Sequence, residues 1–271
     1  MEYQVVKAIN NNVILAKEVG SSEQVMLMSK GIGFHRKPGD SISDQVGSQE
    51  IFKFWNKPNM ISHTSYDFNQ LEQVVRQIVE QVHQRMGVEP DLLYQPLLDH
   101  ISFSLDRINF GLPLDNPYGT EISVLYSMEY SFAKLAVEHI RKELGVDLGE
   151  NEVGLMALHF NTARKRRTMS VTMERVNLFN AISTILEEQL ELYGQERELE
   201  LRIFLLSLNN MLHRCSNGEV YLMPCKRQVF VSMKESYEIA KEISTLIEAK
   251  IGIHLNDDCI AYLTVEVQKI V

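Results

Sequence analysis

Tyr3-Gln4-Val5-Val6-Lys7-Ala8-Ile9-Asn10-Asn11-Asn12-Val13-Ile14-Leu15-Ala16-Lys17-Glu18-Val19 decides how the first part of the chain is read. Two runs rich in Val, Ile and Leu flank three consecutive asparagines. Asparagine tolerates left-handed backbone and bonds its own turn, so the triplet joins a strand over 3–9 to one over 13–19. Working outward, Gly20-Ser21-Ser22 is a second turn, before a strand over 23–28. Gly31 and Gly33 bracket Ile32 ahead of Phe34, Pro38-Gly39-Asp40 is another turn, and 50–55 is a last strand. No useful helical period occurs in this stretch. About 55 residues without disulfide or metal bury little core alone. Residues 1–56 are therefore expected to share a core with a second copy, as a homodimer, and Lys57-Pro58-Asn59 reads as a linker.

From Asp67 the apolar period changes. Phe68, Leu71, Val74, Val75, Ile78, Val79, Val82 and Met86 fall on one helical face, and Gly87 ends it. Helices are predicted near 92–110, 119–128, 130–144 and 151–166, then near 173–193, 198–216, 233–251 and 257–270. Ser232-Met233-Lys234-Glu235 has capping-box spacing. A constant offset of 107 residues superposes Arg107 on Arg214, Gly111 on Gly218, Tyr130 on Tyr237, Gly145 on Gly252 and Leu148 on Leu255. The fold class expected is a small antiparallel β domain followed by two homologous α-helical bundles, with segments 1–56, 65–168 and 171–271. The basic run Arg164-Lys165-Arg166-Arg167 suits a solvated helix end at the repeat boundary.

Composition narrows the function. The chain has 271 residues, of which 45% are hydrophobic and 23% charged, as in ordinary globular proteins. No apolar run reaches the ~18 residues of a membrane span. Met1-Glu2-Tyr3-Gln4-Val5-Val6-Lys7 lacks the layout of a signal peptide, so a cytoplasmic location without membrane insertion is expected. Cys215, Cys225 and Cys259 form no CxxC pair and read as small buried thiols. Net charge is −9, all of it outside residues 1–56, where basic and acidic residues balance. Lys30, His35, Arg36 and Lys37 give that neutral piece a local patch that can meet a polyanion.

Two histidines stand inside apolar helices, in Leu98-Asp99-His100-Ile101-Ser102-Phe103 and in Ala157-Leu158-His159-Phe160-Asn161. Each is followed by an arginine seven residues on, Arg107 and Arg166, which is two helical turns and so one face. Core histidines remain one reading. A metal site lacks further ligands, since no HxxxH or HxxE spacing occurs, and no metal or cofactor is expected. A hydrolase lacks a GxSxG-type nucleophile turn, and neighbouring Asp99 and His100 point about 100° apart on a helix. A phosphoryl acceptor fits better: imidazole is nucleophilic near neutral pH and arginine holds phosphate.

The stretch Ala8–Ile14 followed by Lys30-Gly31-Ile32-Gly33-Phe34 resembles the RNA-binding domain of BglG/SacY-type transcriptional antiterminators. The helical repeats resemble that family's paired phosphotransferase-system regulation domains. Asp99-His100-Ile101 and Ala157-Leu158-His159 resemble the two phosphohistidine motifs of the first of these. The resemblance implies a dimeric β domain that grips a leader-mRNA hairpin and prevents terminator formation in a sugar-utilisation operon. It places RNA contacts on Lys7, Asn10, Asn12, Ser29, Lys30, Phe34 and His35, and phosphoryl groups on His100 and His159. Asparagine suits base edges, Phe34 stacking and Lys30 phosphate. Ser29 and His35 depart from the glycine and amide of the family pattern. The implied partners are RNA and a sugar permease (enzyme II) of the phosphotransferase system, not DNA, since no helix-turn-helix is present.

The second repeat departs from the family. The offset sets Ser207 opposite His100 and Glu266 opposite His159, while His213 and His254 fall opposite Asp106 and Asp147. Both usual acceptors are thus missing, which puts activation by the phosphocarrier protein HPr in doubt. Glu266 would supply a standing negative charge, or mark a lost site. The chain is expected to be a regulator and not an enzyme. The alternative is a phosphocarrier component of the same sugar system, for which the Asn triplet and Lys30–Phe34 would have no use.

Overall fold

The structure, a computed structural model, describes residues 2–8, 12–21, 23–29, 31–34, 36–43, 52–55, 66–109, 114–190, 195–219 and 221–270. The β domain is a five-stranded sheet of order β4-β1-β2-β3-β5, every neighbour antiparallel: β1 Glu2–Ala8, β2 Val13–Glu18, β3 Gln24–Met28, β4 Ser41–Ser43 and β5 Phe52–Trp55. The period of two sorts its side chains. Tyr3, Val5, Ile14, Ala16, Val25 and Leu27 form a core on one face with Ile32 and Ile42. Val13, Met26 and Met28 point to the other face with Leu15, where Phe103 of the first helical repeat packs on them.

The helices are α1 Phe68–Met86, α2 Pro90–Asn109, α3 Gly119–Leu125, α4 Ser127–Leu144, α5 Glu150–Lys165, α6 Met169–Leu190, α7 Gln195–Ser216, α8 Lys226–Ser232, α9 Lys234–Ile251 and α10 Asp257–Gln268. Local chemistry sets their ends. Asp67 caps α1 by accepting from the Asn69 N–H, and Gly87 stops it at φ 66, left-handed backbone open to glycine. The repeat is exact in the backbone at its centre: α3 and α8, and α4 and α9, start and end 107 residues apart.

The chain divides into two compact units, 1–115 with 133–164, and 116–132 with 165–271. In the first, α1 buries Leu71, Val74, Val75, Ile78, Val79 and Val82 and packs against α2. In the second, Leu178, Phe179 and Ile182 of α6, Leu205 and Leu208 of α7, Ile243 of α9 and Leu263 of α10 share a core with Val124 of α3. Glu121 of α3 lies buried there and accepts from the Ser183 hydroxyl at 2.7 Å. Thus α3, inside the expected 65–168 segment, packs within the second unit.

Three further differences from the sequence expectations have local causes. Helix α8 was not expected because its Val229-Phe230-Val231 run carries no helical period. Strand β4 is only three residues long and carries one buried side chain, Ile42. Ser232 does not cap α9: it ends α8, its hydroxyl donates to the Gln228 carbonyl at 2.7 Å, and Met233 occupies the cap position without a side-chain bond. Of the cysteines, Cys259 is buried, Cys215 half-buried and Cys225 exposed, so burial does not hold for all three.

Candidate functional site: a buried histidine cluster and the face of the β domain

Helix α2 carries His100 and Arg107, and α5 carries Glu152 and His159. Each pair is seven residues apart, so each helix presents two polar groups on one face. The structure brings all four together. The His100 and His159 rings lie 4.8 Å apart, tilted by 41°. His100 Nε2 is 2.9 Å from Glu152 Oε2, close enough for an ion pair though not aligned as a hydrogen bond. The other carboxylate oxygen accepts from the Arg107 guanidinium. Glu152 is fully buried, Arg107 nearly so, and His100 keeps a small exposed edge.

Burial pushes the Glu152 carboxyl up, but His100 and Arg107 outweigh it and hold the group down at about 2. An ionised carboxylate is thus fixed inside the unit. A buried ion pair of this kind contributes little net stability over apolar packing, and losing one member leaves an uncompensated charge. The arrangement suits anion chemistry: a nucleophilic ring near the surface, oriented by a carboxylate, with a guanidinium within reach of the same carboxylate.

Sequence spacing located His100, His159 and Arg107 but missed Glu152. The signal was present, because Glu152 precedes His159 by the same two turns that separate His100 from Arg107. Helix α5 ends at Lys165, and Arg166 follows, exposed and in left-handed backbone at φ 51.

The corresponding positions of the second repeat are built otherwise. Ser207 Oγ lies 3.0 Å from the Tyr262 hydroxyl. Arg214 pairs with Glu219 at 2.7 Å and stacks over Tyr221. Cys259 stands opposite Glu152, its sulfur 3.7 Å from that of Cys215. Glu266 is buried and accepts from Lys269 at 2.6 Å. His213 and His254 are exposed. Among the described residues no group of side chains suits a metal ion, and no helix is long and apolar enough to cross a membrane.

On the β domain, Lys7 is exposed and Phe34 is 59% exposed, whereas Asn12 and Ser29 are buried. Asn10, Lys30 and His35 lie outside the described residues. Asn12 Oδ1 accepts from the Gly31 N–H at 3.0 Å, while Nδ2 donates to Asp106 Oδ2 of α2 at 3.3 Å. The Tyr66 hydroxyl lies 3.3 Å from Asp106 Oδ1 and 3.2 Å from Ser102 Oγ. Burial raises Asp106 to about 6 against the opposing pull of Asn12 and Tyr66. Burial and then the Asp106 charge push Tyr66 up to about 12.

A small β domain joined to a helical unit used twice, one copy holding paired histidines, is the architecture of a nucleic-acid regulator with a repeated control domain. The comparisons agree. Residues 3–60 match the CAT RNA binding domain, and the PRD domain matches twice, over 72–163 and 179–269. The chain is 26% identical to the GlcA/glcB genes antiterminator of Staphylococcus carnosus, over 98% of this chain and 94% of that one. It is 27% identical to Protein GlcT of Staphylococcus aureus strain JH9, over 98% and 96%. A crystal structure of GlcT CAT-PRDI aligns at 29% identity with a TM-score of 0.34, covering 60% of this chain and 98% of that one. The chain belongs to the BglG/SacY-type antiterminators, and its function is that of an RNA-binding antiterminator regulated by phosphotransferase-system phosphorylation.

Proposed function

We propose that His100 and His159 are the phosphoryl acceptors, that a sugar permease of the phosphotransferase system supplies and withdraws their phosphate, and that the β domain binds a leader-mRNA hairpin as a homodimer in the cytoplasm. The observation that carries the acceptor reading is the His100–Glu152–Arg107 contact, with the His159 ring tilted against that of His100. Glu152 engages Nε2 of His100, so the imidazole is held in place and its second nitrogen is the nucleophile left for transfer. A phosphate adds about −1.5 to −2 charges, taking hydroxyl-linked phosphate as the guide. Beside an ionised Glu152 that charge is repelled, while Arg107 attracts it, so the cluster must rearrange. A change of this kind biases a two-state element. Phosphate thereby becomes conformation without any catalytic residue, which fits a regulator that takes up phosphoryl groups and catalyses nothing.

The RNA surface is assigned to Lys7, Asn10, Asn12, Ser29, Lys30, Phe34 and His35. The named relative acts on the glcA/glcB genes, so their leader is the first RNA to try. A gel shift of the full chain should show binding that weakens as salt rises, because basic side chains release phosphate counterions. Asn12→Ala and Phe34→Ala should each cost about 1–3 kcal/mol, the worth of a base contact or stack. Unchanged affinity in both variants would refute the surface.

A further inference from the structure

Asn12 is assigned to RNA, yet both ends of its amide are engaged inside the chain. Its oxygen serves the Gly31 N–H and its nitrogen serves Asp106, 94 residues away on α2. Asp106 is itself held by Tyr66, whose hydroxyl also meets Ser102. Beside these bonds Phe103 covers Val13, Met26 and Met28, which are almost wholly buried. A cavity of about 360 Å³ runs along the same junction, with Asn12, Gly31 and Phe34 on one wall and Leu98, Asp99 and Ser102 on the other. It is far too small for an RNA stem, and its helical wall carries a carboxylate that repels phosphate. A base edge that needs the Asn12 amide finds it occupied.

We propose that α2 of the first repeat is an intramolecular competitor for RNA: its Ser102–Phe103–Asp106 face, with Tyr66, closes over the RNA side of the β domain, and RNA binds only when this contact opens. The proposal rests on the assignment of Asn12 and Phe34 to the RNA surface. Two features make the contact a switch rather than fixed packing. Its polar bonds are few, and the apolar face beneath Phe103 can be reburied by another surface once α2 leaves. Helix α2 is also shared with the histidine cluster. His100 and Arg107 lie on one side of it, and Ser102, Phe103 and Asp106 follow around the helix by about 100° per residue. A change in α2 at the histidine cluster therefore reaches the β domain directly, through one rigid element.

The test uses the full chain and a stem-loop RNA selected in vitro for binding to it. Asp106→Ala should raise RNA affinity about tenfold, the effect of removing a charged hydrogen-bond acceptor from the closed state. Tyr66→Phe, which keeps the ring and so the packing, should raise it by a smaller factor in the same direction. In hydroxyl-radical footprinting of the parent, adding RNA should increase labelling of Tyr66 and Phe103, the reverse of ordinary protection by a ligand. Parent-like affinity in both variants, or Tyr66 and Phe103 unchanged or protected by RNA, overturns the proposal. Asn12→Ala and Phe34→Ala separate the two claims. If neither weakens binding while Tyr66 and Phe103 become labelled, the RNA surface is misassigned and the opening of α2 stands. If both weaken binding and Tyr66 and Phe103 do not respond, the surface stands and the competition fails.

Discussion

At positions 107 residues apart, the first helical repeat holds His100, Arg107, Glu152 and His159, and the second holds Ser207, Arg214, Cys259 and Glu266. The backbones match to the residue in α3 and α8 and in α4 and α9. The polar groups match only at the arginine, and there the partners differ. In the first repeat Glu152 is sealed between His100 and Arg107. In the second its place is taken by Cys259, which packs into the hydrophobic core, and Arg214 turns outward to Glu219. The bundle therefore does not require the ionic cluster. A fold that stands without this buried His–Glu–Arg cluster in one copy retains it in the other for a purpose besides stability.

The largest effect expected from this contrast is on stability. Arg107→Met strands the buried Glu152 carboxylate and should destabilise the first unit by about 3–5 kcal/mol. Arg214→Met, at the equivalent and more exposed position, should leave the urea midpoint of the second unit where it was. Equal losses at the two sites would break the comparison.

Next in size is control. His100→Ala removes the ring that contacts Glu152, and antitermination should lose its dependence on inducer in a reporter assay. Couplings between regulatory sites are typically about 1–3 kcal/mol, or 5–150-fold, which such a reporter resolves. A variant that still needs inducer would move the acceptor elsewhere.

Two carboxylates of the first unit should give opposite pH responses. Glu152 is held at about 2 against an ordinary 4.5, so its contribution is present above pH 4.5 and is lost as pH falls from there toward 2. Asp106 is raised from 3.8 to about 6, so its contribution is fully present below 3.8 and is lost as pH rises through 6. Denaturation midpoints measured between pH 4 and 6 should fall with rising pH in the parent, and less so in Asp106→Asn. Glu152→Gln should instead flatten the acid limb below 4.5.

The smallest effect belongs to Ser207→Ala. An alkyl hydroxyl without an activating base is a poor phosphoryl acceptor, and Ser207 faces only the Tyr262 hydroxyl among the contacts described. Phosphate uptake by the chain should not change.

The order of elements was legible because the period switches from two to 3.6 near Asp67, and because glycine and asparagine mark the turns. The repeat was legible because its offset is constant. Helix α8 and strand β4 escaped, one for its β-branched composition and one for its length. At the site, two-turn spacing found His100 and Arg107 on α2, whereas Arg166 falls just past the end of α5. Glu152 escaped because its two-turn spacing to His159 gains meaning only once its partners on another helix are known. The contact between Asn12 and Asp106 joins residues 94 positions apart, and no local pattern announces it.

The most direct test of the division between the repeats is to incubate the full chain with the general phosphotransfer proteins and the permease, in paired reactions with and without the latter, and to map phosphate by mass. The expected result is phosphate on His100 and His159 in the presence of permease, with none in residues 171–271 in either reaction. Stoichiometric phosphate on His213 or His254, with a matching gain in RNA binding, would contradict it and show that the second repeat has moved its acceptor rather than lost it.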